Sequence, residues 1–414
     1  MVKILLDKFP KYSIYIYTDK SIKHDSLQTL IQANKLFQID LVSDHDALER
    51  LEFIPLSLSP LVEPSKYPFL TLLMQNLMSI LVAIQASYHL VPQVYIETIG
   101  FTHTLPVFKF LGSSVITYIH YPTISSDMIK NVETSIHASF NNREIFVRSR
   151  SLRQLKLIYY KLLACCYGLA GRCADLVLVN SSWTRNHIVE LWGTKDVHVV
   201  YPPCDVESFR RTASTRKSDH TPVTRATRDL KIISIGQFRP EKNHELQIEA
   251  FDMFMNSMAT SSQLTLFGGC RDEGDKKRVE YLNDIIHRLE LSSCVRIVTN
   301  ASFDQLLRGV SEADVALHSM MNEHFGIVLL EFMAAGLITV AHNSGGPKLD
   351  IIQDNVDGFL CEDVEDFADR LSRISKMSPE ERNAMKQRAM AKASKFNVQT
   401  FEYMLLDKVA RFLG

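Results

Sequence analysis

Short apolar runs alternate with helical stretches throughout the second half of the chain. Each run reads as a strand, and the runs lie near 231–235, 264–267, 295–298, 314–317, 337–341 and 358–361. Strands that alternate with helices are typical of a doubly wound parallel sheet. The first half predicts further strands near 13–17, 94–97, 115–119, 176–179 and 197–200. The sequence therefore predicts an α/β protein.

The length of the chain predicts more than one domain. Its 414 residues exceed what a single core usually holds. A polar, basic stretch at 202–229 lacks apolar periodicity and predicts a linker or hinge. The predicted parts are a first domain at 1–201, the linker at 202–229, a second domain at 230–395 and a C-terminal helix at 396–414.

Charge and cysteine usage narrow the classes of function. The formal net charge of -1 provides no general attraction to nucleic acid. Seven cysteines, an odd count without a C-x-x-C pair, indicate a reducing compartment. The only D-x-D motif, at 44–46, has no further ligands at metal-site spacing, so we expect neither a metal nor a cofactor.

Two carboxylates, Glu323 and Glu331, are separated by seven residues that include a Phe-Gly break. Within one helix their Cα atoms would lie roughly 12 Å apart and about 80° out of phase, so they must serve different parts of a ligand. A predicted strand at 314–318 and a predicted helix at 327–335 make Gly326 the start of the helix. Such a terminus suits a phosphate. An extended ligand with a central diphosphate fits, although an isolated pair of this kind is more often a loop carboxylate and a solvated helix residue.

Two more loops follow predicted strands of the same domain. Arg239 and Lys242 follow the strand at 231–235, and two cations at such a strand end suit a diphosphate. Gly345 and Gly346 follow the strand at 337–341 and permit close approach of the backbone. Taken alone, the first loop is more often a solvated charged turn, and the second needs no function as a turn. Because all three loops follow strands of one domain, we expect them along one edge of its sheet.

The sequence resembles the retaining GT-B glycosyltransferases that carry the E-x7-E motif. The likeness covers R-P-E-K-N at 239–243, L-T-L-F-G-G at 264–269, D-V-A-L at 314–317, E-H-F-G-I-V-L-L-E at 323–331, A-A-G at 334–336 and S-G-G-P at 344–347. Within that family it is most similar to the α-1,2-mannosyltransferases that use GDP-mannose and dolichyl-pyrophosphate oligosaccharides. That likeness rests on H-Y-P-T at 120–123, Y-G-L-A-G-R-C-A-D at 167–175, V-N-S-S-W-T at 179–184, V-Y-P-P-C at 200–204 and F-G-G-C-R at 267–271.

The resemblance implies a GT-B fold, in which two doubly wound Rossmann-like domains face a central cleft and the C-terminal helix crosses back to the first domain. It implies a retaining enzyme that moves mannose from GDP-mannose, in α-1,2 linkage, onto a dolichyl-pyrophosphate-linked oligosaccharide in N-glycan precursor assembly. The expected location is the cytoplasmic face of the endoplasmic reticulum membrane, in contact with the membrane surface. The resemblance also allows a complex with other mannosyltransferases of the pathway.

The resemblance further implies roles for individual residues. Arg239 and Lys242 would hold the donor diphosphate and stabilise the charge on departing GDP. Glu323 would contact the transferred mannose, Glu331 would hold the ribose hydroxyls, and His120 would line the sugar pocket from the first domain. The remaining expected donor contacts are Phe325, Gly326, Ile327, Gly268, Gly345 and Gly346.

The start of the chain leaves alternatives open. Residues 1–6 read as the end of a first helix, so the opening strand, the glycine-rich loop and the membrane-anchoring helix of the family are expected to be missing. A truncated, non-catalytic nucleotide-binding homologue is therefore one alternative function. A retaining transferase that uses another nucleotide sugar is a second alternative, because no motif encodes the choice of base or sugar.

Two segments suggest contact with a membrane. Residues 67–96 carry no charge, and a core helix, a helix dipping into the interface and a true span all fit that pattern. Residues 143–161 combine six cations with apolar side chains. Such a segment suits an anionic membrane surface or a pyrophosphate-bearing lipid, with a solvated basic helix as the alternative.

Overall fold

Two units, each built on parallel strands, make up the chain. The first contains Met1–Asn180, Thr184–Val200 and Glu402–Gly414, and the second contains Ser181–Trp183 and Tyr201–Phe401. The computed structural model describes residues 1–20, 22, 26–37, 39–134, 150–215, 228–258 and 260–413.

Within its described residues, the first unit has six strands in two parallel sheets. β1 (Ile14–Asp19) pairs with β2 (Leu51–Leu56), whereas β3 (Val94–Glu97), β4 (Ser114–Ile119), β5 (Leu176–Val179) and β6 (Val197–Val199) form a second sheet in that order. The five strands predicted in this half are confirmed. The strand β2 was not predicted, because Glu52 and Pro55 interrupt its apolar pattern and Pro argues against a strand.

Helices connect these strands. They are α1 (Val2–Lys8), α2 (Ser26–Phe37), α3 (His45–Glu49), α4 (Thr71–His89), α5 (Leu105–Phe110), α6 (Ser126–Thr134), α7 (Arg150–Gly171) and α8 (Ser182–Trp192). The prediction that residues 1–6 are helical is confirmed by α1. Residues 143–149 of the predicted basic segment lie outside the described residues.

The helix α4 buries two polar residues while part of its apolar surface is exposed. Asn76 and Ser79 are buried together with two alanines, whereas Leu77, Leu81 and Ile84 are exposed. In an ordinary amphipathic helix the large apolar side chains would face the core and the polar ones would face water. Among the described helices, α4 is also the one that is long and apolar enough to cross a membrane.

The second unit contains one six-stranded parallel sheet. Its strands are β7 (Lys231–Ile235), β8 (Gln263–Gly268), β9 (Val295–Thr299), β10 (Val315–His318), β11 (Ile338–His342) and β12 (Phe359–Cys361), as predicted from the sequence. Their spatial order is β12-β11-β10-β7-β8-β9. From β7 the chain adds β8 and β9 on one side of the sheet, and it then adds β10, β11 and β12 on the other side. The carboxyl ends of β7 and β10 therefore flank the switch point, where open α/β sheets bind ligands.

The helices of this unit are α9 (Val206–Thr215), α10 (His244–Ser257), α11 (Glu273–Arg288), α12 (Phe303–Glu312), α13 (Ile327–Ala334), α14 (Val364–Lys376) and α15 (Pro379–Ala393). A 3-10 turn at Pro240–Lys242 follows β7, and a π-helical turn at Pro347–Ile351 follows β11. The last helix, α16 (Val398–Leu413), starts in the second unit, and its residues from Glu402 onward belong to the first. Lys8 forms an ion pair with Glu402 at 2.8 Å.

The structure corrects the expectation that 202–229 is a loop throughout, because 206–215 form α9. Val206 and Phe209 on this helix are buried, and the Phe209 ring lies edge-on to Phe303 with centroids 6.2 Å apart. Two buried apolar residues in one short helix give too weak a periodicity to be recognised in the sequence. Residues 216–227 of the predicted linker lie outside the described part of the chain.

Candidate functional site

A buried ion-pair cluster joins the loops after β7 and β10. Lys242 Nζ donates to Glu323 Oε2 at 2.6 Å, and His318 Nε2 lies 3.0 Å from the same oxygen. Glu323 is 9% exposed and His318 is 3% exposed. The cluster forms because β7 and β10 are neighbours in the sheet, which brings together residues 81 positions apart in sequence.

The cluster keeps Glu323 ionised. Burial alone would raise the pKa of Glu323, but the hydrogen bond and charge of His318 and the charge of Lys242 together hold that pKa well below its usual range. The Lys242 ammonium has three N–H donors, and within the described residues Glu323 is its hydrogen-bond acceptor. Two donors of Lys242 are therefore left for a bound anion.

The side chain of Ser319 fixes the loop that carries Lys242. Its hydroxyl lies 2.9 Å from the carbonyl oxygen of Lys242 and 2.8 Å from that of Asn243, and it accepts a hydrogen bond from Gln247 Nε2 at 2.7 Å. Ser319 and Gln247 are both buried. Sequence reasoning missed Ser319, Gln247 and His318. Polar residues at the end of the apolar run 314–317 were the available signal.

The loop after β11 supports Glu323 through the backbone. Gly346 N donates to the carbonyl oxygen of Glu323 at 2.7 Å. Gly345 has a φ of +63°, and a Cβ there would lie 2.2 Å from the Glu323 carbonyl oxygen. In addition, Asn322 N donates to Ser344 Oγ at 2.7 Å. Gly345 and Gly346 thus hold the Glu323 loop, and their predicted contact with a ligand stays a prediction.

The start of α13 provides free backbone donors. Gly326, with a φ of +97°, precedes the first helical residue, Ile327. The Phe325 ring is buried and stacks on Tyr201, with centroids 5.7 Å apart. Within the described residues, no acceptor reaches the amides of Phe325, Gly326 or Ile327. Unpaired amides at a helix start form a site for an anion.

Glu331 lies further along α13 in a different environment from Glu323. Burial, and secondarily the charge of Asp205, raises the pKa of Glu331 to about 7. Within the described residues no hydrogen bond or ion pair reaches its carboxylate. A partly buried carboxylate without a donor is well suited to accept hydrogen bonds from ligand hydroxyls.

We expect Glu331→Gln to stabilise the protein much more at pH 8 than at pH 5. The folded-state pKa of about 7 lies above the value of about 4.3 for an exposed Glu, so the wild type loses stability as pH rises from about 4 to about 7. The neutral isostere avoids that loss, which is about 1–3 kcal/mol in the free energy of unfolding. Urea unfolding of both proteins at the two pH values measures it. An equal difference at pH 5 and pH 8 would contradict the assignment.

The other predicted residues lie outside the ion-pair cluster. The Arg239 side chain is 38% exposed, and its Nη1 lies 3.7 Å from Glu241 Oε1. Gly268 ends β8, where a Cβ would lie 2.3 Å from the Gly236 carbonyl oxygen, so close packing explains that glycine. His120 follows β4 in the first unit, where it is exposed beside the Tyr118 ring.

Comparisons with known sequences agree along the whole chain. Residues 1–192 match the family described as ALG11 mannosyltransferase N-terminus, and residues 215–392 match glycosyl transferases group 1. The mouse protein named GDP-Man:Man(3)GlcNAc(2)-PP-Dol alpha-1,2-mannosyltransferase is 42% identical, over 100% of this chain and 82% of its own length. The human protein of that name is 41% identical, over 99% of this chain and 82% of its own length. The Caenorhabditis elegans protein of that name is 35% identical, over 97% of this chain and 84% of its own length.

Solved structures share the fold. A glycosyltransferase from Rickettsia africae superposes with a TM-score of 0.60 at 16% identity, covering 97% of this chain and 98% of its own. A sucrose-phosphate synthase from Thermosynechococcus elongatus gives a TM-score of 0.66 at 17% identity, covering 99% and 90%. These likenesses show the GT-B fold that the sequence predicted. The identity of 35–42% to the sequence relatives, over nearly the whole chain, establishes that this chain belongs to the family of GDP-Man:Man(3)GlcNAc(2)-PP-Dol α-1,2-mannosyltransferases.

Proposed function

We propose that this chain transfers mannose from GDP-mannose, in α-1,2 linkage, to a Man(3)GlcNAc(2) oligosaccharide carried on dolichyl pyrophosphate. The observation that carries the proposal is the 42% identity to a named transferase across the whole chain. The Lys242–Glu323 cluster at the switch point of the second unit supports it, because the cluster combines an anion-binding cation with an ionised carboxylate.

The donor would bind across the second unit. Lys242 and Arg239 would take the diphosphate, together with the amides of Phe325 to Ile327 at the start of α13. Glu331 would accept hydrogen bonds from the ribose hydroxyls, since its carboxylate is partly buried on the same helix. Glu323 would hold the mannose, with its other oxygen anchored in the cluster.

The chemistry follows from this arrangement of charges. The bond between mannose C1 and the phosphate oxygen breaks, and the positive charge that develops on the sugar is favoured by the nearby ionised Glu323. The electron pair goes to the departing GDP, where Lys242 and Arg239 stabilise it. The 2-hydroxyl of the acceptor mannose then bonds to C1 on the same face, and its proton passes to a phosphate oxygen. The α configuration of the donor is thereby retained.

Calorimetric binding of GDP, UDP and GDP-mannose, followed by transfer to a dolichyl-pyrophosphate oligosaccharide in detergent, tests the proposal. We expect GDP to bind at least tenfold more tightly than UDP and mannose to be transferred in α-1,2 linkage. Selective GDP binding without transfer would favour a nucleotide-binding homologue that lacks catalysis. Equal binding of GDP and UDP would favour a different nucleotide sugar.

We also place the enzyme against the cytoplasmic face of the endoplasmic reticulum membrane. The outer face of α4 supports this placement, because Leu77, Leu81 and Ile84 are exposed there. A second apolar face lies along α7, where Leu155, at 64%, and Leu162, at 63%, are largely exposed. Tyr159 Oη accepts from Leu73 N at 3.2 Å, so the two helices meet within the first unit.

The charge along these helices fits the headgroups of anionic lipids. Residues 67–96 carry no charged side chain, and between Arg150 and Arg172 every charged side chain is a cation. Apolar side chains with neighbouring cations are the pattern of a surface that lies on an anionic bilayer. The seven cysteines are free, which suits the reducing cytoplasmic side.

The double variant Leu81→Glu with Leu162→Glu is expected to lose most binding to vesicles that contain phosphatidylserine. Each substitution places a carboxylate on the exposed apolar face of one helix. Flotation with vesicles, at equal protein concentration, measures the effect. Met253→Glu with Val398→Glu provides a matched control, because these residues are 41% and 49% exposed in the second unit. An equal loss of vesicle binding in both double variants would contradict the proposal that α4 and α7 contact the membrane.

A further inference from the structure

The two oxygens of Glu323 have different surroundings. Oε2 is 2.6 Å from Lys242 Nζ and 3.0 Å from His318 Nε2, so two neighbours occupy it. Oε1 accepts only from the amide of His324, at 3.1 Å, within the described residues. A carboxylate oxygen can accept two hydrogen bonds. Oε1 is therefore the oxygen with capacity for a substrate hydroxyl.

The two partners of Oε2 differ in mobility. The ammonium of Lys242 lies at the end of a flexible side chain, and a diphosphate would attract its positive charge. His318 is the last residue of β10, is 3% exposed, and precedes the buried Ser319. A ring held by a core strand keeps its position when a ligand arrives. If Lys242 turns toward a diphosphate, His318 still holds Oε2.

We propose that His318 is a positioning residue, whose Nε2–H holds Glu323 Oε2 so that Oε1 faces the transferred sugar. The proposal rests on the proposed function, since it names the group that orients the sugar-binding carboxylate. The donating nitrogen is assigned from the acceptor that it faces, because an ionised carboxylate cannot donate. His318 acts through Glu323 and touches no substrate.

A buried histidine with no role in orientation looks different in the same unit. His244 is 1% exposed, and burial lowers its pKa to about 3, so its ring is neutral. Its Nδ1 has no hydrogen-bond partner among the described residues. His244 therefore fills space beside Phe238, with ring centroids 5.1 Å apart. His318, by contrast, is directed at the one carboxylate of the cluster.

Three variants test the proposal: His318→Leu, His318→Gln and, as a control for loss of a buried histidine, His187→Leu in the first unit. His187 is 6% exposed, and its Nδ1 lies 2.8 Å from Ser126 Oγ. The measurements are the affinities for GDP and GDP-mannose by calorimetry, and turnover with the lipid-linked acceptor. GDP lacks the sugar and therefore reports the diphosphate and ribose contacts alone.

For His318→Leu we expect GDP affinity within about twofold of wild type, a lower affinity for GDP-mannose relative to GDP, and turnover reduced roughly 10- to 100-fold, as for other orienting partners. His318→Gln should recover most of both losses, because its amide can donate near the position of Nε2. His187→Leu should change neither the affinity for GDP-mannose relative to GDP nor the turnover.

An unchanged ratio of GDP-mannose to GDP affinity in His318→Leu would overturn the proposal. So would a parallel fall in both affinities that His318→Gln does not reverse, because that result indicates a structural role. If wild type transfers no mannose, the proposed function fails while the affinity ratio still decides the role of His318.

Discussion

Lys242→Ala is expected to lower turnover by roughly 10²- to 10³-fold, the usual effect of removing a group that stabilises developing charge. The ammonium lies at the switch point with two donors available, so we expect it to meet the phosphate oxygens on which charge accumulates as the C1–O bond breaks. Turnover at saturating GDP-mannose is the measurement, because the interaction should be strongest in the transition state.

Loss of Lys242 also leaves Glu323 with one partner fewer, so stability needs its own control. The double variant Lys242→Ala with Glu323→Gln removes the unpaired charge and should recover stability without recovering activity. Lys277→Ala, on the exposed surface of α11, controls for the loss of a lysine from the same unit. Turnover of Lys242→Ala within threefold of wild type would exclude the predicted role.

Gly345→Ala is expected to abolish at least 99% of the activity, because its Cβ would overlap the backbone of the Glu323 loop. The contacts would be 2.2 Å to the Glu323 carbonyl oxygen and 2.8 Å to its amide nitrogen, at a φ of +63°. Backbone atoms cannot swing aside as a side chain can, so the loop must move and the Lys242–Glu323 contact must change. We expect a loss of about 1–3 kcal/mol in the free energy of unfolding as well.

Gly269→Ala is the matched control for this prediction. A Cβ at Gly269 meets nothing closer than Gln237 Cγ, at 3.9 Å. Transfer activity and thermal unfolding of the two variants should be compared side by side. Full activity in Gly345→Ala would show that the support of Glu323 by this loop is dispensable.

The strands of the second unit could be predicted because each is a short apolar run between polar loops. Lys242 and Glu323 could be recognised individually from their motifs. Their ion pair could not be predicted, because it depends on β10 lying beside β7 rather than beside β9. The partner of His318 lies only five residues further along the chain, but in the sequence His318 reads as the end of a core strand and gives no sign of that contact.

Failures elsewhere had different physical causes. The helix α9 buries mainly Val206 and Phe209, which is too few residues for a periodic signal. Composition alone could not show whether α4 is a core helix or exposes an apolar face, because both kinds of helix contain the same types of residue. The structure distinguishes them, because Leu77, Leu81 and Ile84 are exposed while Asn76 and Ser79 are buried.

The pairing of Lys242 with Glu323 has a consequence for how fast the donor is captured. Because the two charges cancel at close range, Lys242 contributes little to the long-range field that attracts an anionic nucleotide. Arg239 is 38% exposed and its contact with Glu241, at 3.7 Å, is longer than that of Lys242 with Glu323, so Arg239 contributes more to that field than Lys242 does. The association rate and its dependence on ionic strength should therefore follow Arg239, whereas Lys242 acts after the nucleotide has docked.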